Sequence, residues 1–167
     1  MSSLRLDSYV YTLESLAQAR TRLAPDGHQS RPKYLNNLAN RLSNLGRREE
    51  ALAASQETAN LYRDLAAARP DAFTVDLARS LGARGRILRG AERHGDAAAS
   101  FAEGLRLILP YARRYGPALA GLTDVLAQGW VEASEAADLP PDETLMTEVL
   151  ATLQKIAPPG AADDGAA

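Results

Sequence analysis

Apolar residues recur at spacings of three and four along most of the chain, the pattern of helices that bury one face. It is cleanest between Tyr34 and Leu65. There Leu35, Leu38, Leu42 and Leu45 form one stripe with Ala39 beside it, and Gly46 interrupts. Ala51/Leu52, Ser55, Thr58/Ala59, Tyr62 and Leu65/Ala66 form a second stripe. This predicts a helix from Pro32 to Leu45, capped by Ser30 with Pro32 in its first turn. A second helix, 47–68, follows, with Gly46 supplying the positive φ of the turn. Glu49 and Glu50 fall in the first turn of the second helix, where they complement its dipole.

An earlier stripe of Leu6, Tyr9, Val10, Leu13, Leu16, Ala17 and Leu23 predicts a lone helix over 4–23, stopped by Pro25-Asp26-Gly27. Downstream the central pattern recurs. Leu35 aligns with Leu81, Ala39 with Gly85, Leu42 with Leu88, Leu45 with Ala91, Ala51 with Ala97 and Ser55 with Phe101. The period is about 46 residues, in the range of stacked helical repeats. It predicts helices over 74–91 and 96–114, the latter kinked at Pro110 or ended near Leu109, because proline removes the bond to Arg106. A third unit over 117–156 carries Leu119, Leu122, Leu126 and Trp130, then Leu145, Val149, Leu150 and Leu153. It lacks the repeat's landmarks and reads as a divergent C-terminal capping hairpin. The tail 158–167, PPGAADDGAA, is expected to be disordered.

Composition sharpens this picture. The chain has 167 residues, 46% hydrophobic but 5% aromatic, so Leu and Ala must build the core, which favours closely packed helices. A formal net charge of −2 points to neither nucleic acid nor an anionic membrane. There are no cysteines, and no apolar run nears the roughly 18 residues of a membrane span. No metal cluster, cofactor motif or nucleophile with its base can be assembled, so no enzyme and no cofactor is expected. The start, MSSLRLDS, lacks a signal-peptide pattern, and a cytoplasmic location is expected. His28 and His94 fall at predicted turns and are read as solvated.

The landmark positions resemble those of tetratricopeptide repeats. Leu35 stands at the Trp position, Leu38 at the Leu, Ala39 at the Gly, Leu42 at the Tyr and Ala51 at the small residue of the second helix. Leu81, Gly85, Leu88, Ala97 and Phe101 take the corresponding places in the second copy. Arg84, Glu92 and Ser55 depart from the pattern. The resemblance covers about 34–114. More narrowly, YLNNLANRLSNLGRREEAL is similar to the longer repeats of kinesin light chains and to the Ala/Arg-rich repeats of large bacterial signalling proteins. There such repeats accompany STAND-type NTPase or CHAT-protease domains. This chain has neither a GxxxxGKS/T loop nor a Cys nucleophile.

The resemblance implies an all-α fold: a right-handed TPR-like α-solenoid of about seven helices in a single domain, 1–157. Its concave groove would display Lys33, Asn36, Asn37, Asn40, Asn44, Arg79 and Arg86. A row of Asn amides can hold a peptide backbone through donor and acceptor together, and the Arg residues add preference for carboxylates. An alternative role for the Asn side chains is bonding to a neighbouring helix. The expected function is a non-catalytic protein–protein interaction module, a scaffold or recognition domain binding a protein or peptide segment. The alternative is a regulatory sensor that binds a small or phosphorylated ligand through the Arg-rich helix 79–93 and controls an effector. The lone helix leaves Tyr9, Leu13 and Leu16 uncovered. Self-association through that end, or a further part of a longer protein, is expected to cover them.

Overall fold

The computed structural model describes residues 27–140 and 142–156. The predicted lone helix with Tyr9, Leu13 and Leu16, and the predicted tail, lie outside the described residues. Among the described residues the chain is all-α, without a strand. It forms α1 (Gly27–Asn44), α2 (Arg48–Ala68), α3 (Pro70–Gly90), α4 (His94–Tyr115), a 3-10 turn (Gly116–Leu119), α5 (Ala120–Ala136) and α6 (Glu143–Ile156). No helix among the described residues is long and apolar enough to cross a membrane.

Each helix packs on its chain neighbour. In addition α1 touches α3, α3 touches α5, and α4 touches α6. Backbones of α2 and α4 do not approach closely, and the gap is bridged by Arg63, whose guanidinium donates to Glu103 at 2.8 Å.

The predicted period is visible in the backbone. Gly46, Glu92 and Asp138, each 46 residues after the last, all adopt positive φ, at 72°, 62° and 52°. Around each the same bond closes the helix: Arg47 N–H to the Leu42 carbonyl at 2.9 Å, Arg93 N–H to Leu88 at 3.0 Å and Leu139 N–H to Ser134 at 3.0 Å. These are Schellman turns, in which a left-handed residue lets the chain satisfy carbonyls the helix leaves orphaned. Arg47 and Arg93 then pair with Glu50 and Asp96, each three residues on. The third unit therefore keeps the repeat's turn although it has lost its side-chain landmarks. Glycine meets the left-handed conformation without a Cβ penalty, whereas Glu92 does not. Glu92→Gly is expected to stabilise the chain by about 1 kcal/mol, raising the melting temperature by a few degrees. Gly46→Ala should lower it by a similar amount, read in the same thermal unfolding.

Glycines decide how closely the hairpins stack. Phe101 of α4 lies between Gly85 of α3 and Gly129 of α5. A Cβ at Gly85 would stand 2.7 Å from the ring, and one at Gly129 2.6 Å. Leu126 of α5 fills the space over Gly82 and Gly104, where an added Cβ would lie 2.8 and 3.2 Å from its methyl carbon. Ser100 Oγ ties α4 to α3 by donating to the Leu81 carbonyl at 3.0 Å. Trp130, Leu105, Ile108 and Leu145 complete this central core, and Tyr62, Phe73, Leu77 and Leu81 form a second cluster between α2 and α3.

Several expectations need correction. Helix α1 begins at Gly27, so Pro32 is its sixth residue and not its opening one. The lost bond would go to the first turn, and Pro32 is fully buried, so packing offsets it. Helix α4 does not end at Pro110 but runs to Tyr115, with the proline ring on its exposed side. Leu45, expected inward, is 64% exposed because α1 ends at Asn44 and the turn carries Leu45 off the stripe. Leu150 is 52% exposed. Val149 takes the buried position, and successive helical residues point about 100° apart. His28 lies within α1 and His94 opens α4, so neither falls in a turn. The Nδ1 of His94 is enclosed without a hydrogen-bond partner among the described residues.

Helix α6 docks on α4 by polar contacts. Arg106 pairs with Asp142 at 2.9 Å, and Arg113 Nε donates to Thr152 Oγ1 at 3.0 Å. Asp142 accepts the Leu145 N–H at 2.9 Å, capping α6. That backbone bond first, and the Arg106 charge after it, hold its carboxyl below the usual carboxylate range.

Candidate interaction surface

The predicted surface residues come from α1 and α3, which lie side by side. Lys33, Asn37 and Asn44 are exposed on α1, Asn36 and Asn40 are half-buried, and Arg79 and Arg86 are exposed on α3. The 46-residue register then divides the α1 residues into two sets. Lys33, Asn40 and Asn44 correspond to Arg79, Arg86 and Gly90 in α3 and to Val125, Glu132 and Ala136 in α5. Asn40 apart, all of these are exposed. They form one face running across three helices. Asn37 behaves differently: its counterparts Ala83 and Gly129 are buried, Gly129 against Phe101 of the preceding hairpin. Asn36 corresponds to Gly82, which meets Leu126 of the next hairpin.

Among the described residues none of the four Asn side chains makes a hydrogen bond, and Lys33 and Arg86 have no charged partner. Bonding within the stack, the alternative role considered for the Asn row, is not what the described residues show. Most other cations are engaged. Arg31 pairs with Glu57, Arg63 with Glu103, Arg89 with Glu132 and Arg113 with Glu148. Arg79 donates to Asp76 at 2.7 Å, one turn back on its own helix.

The Arg-rich helix does not gather its charge at one point. Arg89 and Arg93 are paired with Glu132 and Asp96. Arg84 is half-buried, and burial pulls its guanidinium below the usual range. Arg63 adds to that pull, while Asp96 and Glu103 oppose it. Arg86 alone is exposed and unpaired. No group of three His, Asp or Glu positioned to hold a metal occurs among the described residues.

The face changes character along its length. It is amide-rich and basic on α1 and α3, then carries Val125, Glu132 and Ala136 on α5, with a carboxylate where α3 has Arg86. Sequence reasoning missed the α5 part of this face, although counting one more period from Arg86 leads to Glu132.

Comparison of the chain with protein families, with characterised proteins and with solved structures gives no match.

Proposed function

We propose that the chain is a TPR-like α-solenoid that acts as a non-catalytic protein–protein interaction module. It binds a protein or peptide segment along the face made by α1, α3 and α5. The observation that carries this reading is the row of unengaged polar groups, Lys33, Asn40, Asn44 and Arg86, on helices that stack side by side. Solvated amides cost helix propensity and return nothing to the stack. Presented to an extended segment, they can replace water with backbone hydrogen bonds, while Arg86 favours an acidic side chain or carboxylate.

The unequal approach of the helices supports the same face. The backbone of α3 approaches those of α1 and α5, whereas those of α2 and α4 do not approach closely and are bridged by the Arg63–Glu103 pair. Helices on the tighter side of a bend line its concave side, which supports reading this row as the lining of a groove. At the C-terminal end α6 closes against α4, as a capping hairpin would. The alternative, a sensor for a small phosphorylated ligand through residues 79–93, has less support. Arg79, Arg89 and Arg93 already have carboxylate partners.

The test uses an array of short acidic, neutral and basic peptides against the whole chain. Asn40→Ala/Arg86→Ala should weaken acidic-peptide binding about tenfold or more, with circular dichroism and melting temperature unchanged. Equal binding by the variant would remove the groove reading. Tight, salt-sensitive binding of inorganic phosphate instead, lost with Arg86→Ala, would favour the sensor.

A further inference from the structure

The first and last described helices present outer faces that match each other. On α1 the side opposite its buried stripe carries Tyr34, Asn37 and Arg41, all exposed, Tyr34 at 67%. Their register counterparts are buried: Ser80 and Leu126, Ala83 and Gly129, Ile87 and Ala133. In α3 and α5 this side rests on the hairpin before it, where Ile87 packs with Leu42, Ala51 and Ala54, and Leu126 fills the space beside Gly104. On α6 the buried positions are Leu145, Val149, Thr152 and Ile156. Its opposite side carries Glu143, Thr147, Leu150 and Gln154, all exposed.

We propose that α1 of a second copy of this chain docks antiparallel on this outer side of α6, so that copies join head to tail. Charge selects that occupant. Helix α1 carries Arg31, Lys33 and Arg41 and no acid. Helices α5 and α6 carry Asp124, Glu132, Glu135, Glu143 and Glu148 against Lys155 alone. Two α1 faces set against each other would oppose cation to cation. Continuity of packing selects the same occupant. Consecutive helices joined by short turns run antiparallel, and α3 packs in this way on α2, and α5 on α4. A second copy's α1 on α6 extends the same alternation.

The two faces agree in spacing. Tyr34 and Arg41 stand seven residues apart, and so do Glu143 and Leu150, which is about 10.5 Å along each helix. In antiparallel register Tyr34 falls on Leu150, two large apolar side chains that are each more than half exposed. Arg41 then falls on Glu143, and neither has a charged partner among the described residues. Between these contacts Asn37 meets Thr147, an amide opposite a hydroxyl, and beyond Tyr34 Ser30 meets Gln154. The inference is independent of the groove reading, because the contact uses none of Asn40, Asn44 and Arg86. It joins different surfaces of the two copies, so it does not close on itself.

Sedimentation of the full chain over a range of concentrations tests this. A single helix pair buries less than a standard interface, so association should be weak, at about 0.1–1 mM. The average mass should climb past that of a dimer and fall with added salt. Tyr34→Asp and Leu150→Asp each bury a charge in the contact, and each should leave a monomer with unchanged circular dichroism. Mixed, the two variants should form a dimer and nothing larger, because one intact end of each kind remains. Arg41→Glu should weaken association about tenfold, and adding Glu143→Arg should restore it. A wild-type chain that stays monomeric to about 1 mM would overturn the proposal. So would association that survives both aspartate variants, or a mixture of the two that stays monomeric. Loss with Tyr34→Asp but not with Leu150→Asp would overturn it too, and would mean that two α1 faces meet. Failure of the Glu143→Arg rescue would overturn the antiparallel register.

Discussion

Phe101→Ala is expected to destabilise the fold by about 3–5 kcal/mol, the cost of truncating a fully buried aromatic ring. A domain of this size has about 5–15 kcal/mol in total. The variant should therefore sit near its unfolding midpoint at modest urea, read by circular dichroism. The magnitude follows from where the ring lies. It is 1% exposed and touches α3 through Gly85 and α5 through Gly129. Its removal opens a cavity at the junction of two hairpins, and both walls are helix backbone, which cannot collapse to fill it. Loss of the ring should therefore uncouple α5 and α6 from the first four helices. Amide exchange in 120–156 should accelerate more than in 48–66, where Ser55 occupies the corresponding place.

The helical character and the period were legible in the sequence because Leu35, Leu42, Leu81 and Leu88 carry them in side chains that can only be core. The turn at Gly46 was legible for the same kind of reason, since glycine marks a left-handed residue. Its equivalents at Glu92 and Asp138 were hidden, because the turn's own backbone bonds hold a left-handed residue there without the glycine that would mark it. The prolines misled in the opposite direction. Pro32 and Pro110 are strong local signals for a break, yet α1 and α4 continue through them. One ring is buried and the other faces solvent.

The candidate surface was half legible. Amides at 36, 37, 40 and 44 look like one row in a linear reading. Neighbouring helical positions point about 100° apart, however, so 36 and 37 cannot both serve one face. Only the burial of Ala83 and Gly129 sets Asn37 apart from Lys33, Asn40 and Asn44, whose counterparts are exposed. A surface defined by absence of partners is invisible until the partners of every other cation are known.

Gly129→Ala and Gly90→Ala should move stability in opposite directions, although each adds one methyl to a helix. At Gly90, the last residue of α3, an added Cβ meets nothing within 4 Å. Alanine is the better helix former, so that variant should gain about 0.5–1 kcal/mol. The same intrinsic gain is available at Gly129. There, though, the new carbon would stand 2.6 Å from the Phe101 ring, and the ring lies so close to Gly85 that a Cβ added there would stand 2.7 Å away, which leaves it little room to retreat. Overpacking of this kind costs about 1–3 kcal/mol, which exceeds the propensity gain, so Gly129→Ala should lose stability. The two signs together separate packing from propensity, which a single substitution cannot do. If packing decides, Phe101→Leu should make Gly129→Ala less harmful, a coupling read from the double-mutant cycle in urea. If Gly129→Ala proves stabilising in the wild-type background, α5 is free to move away from α4. The close stacking that brings Glu132 of α5 to Arg89 of α3 would then not be fixed by this contact.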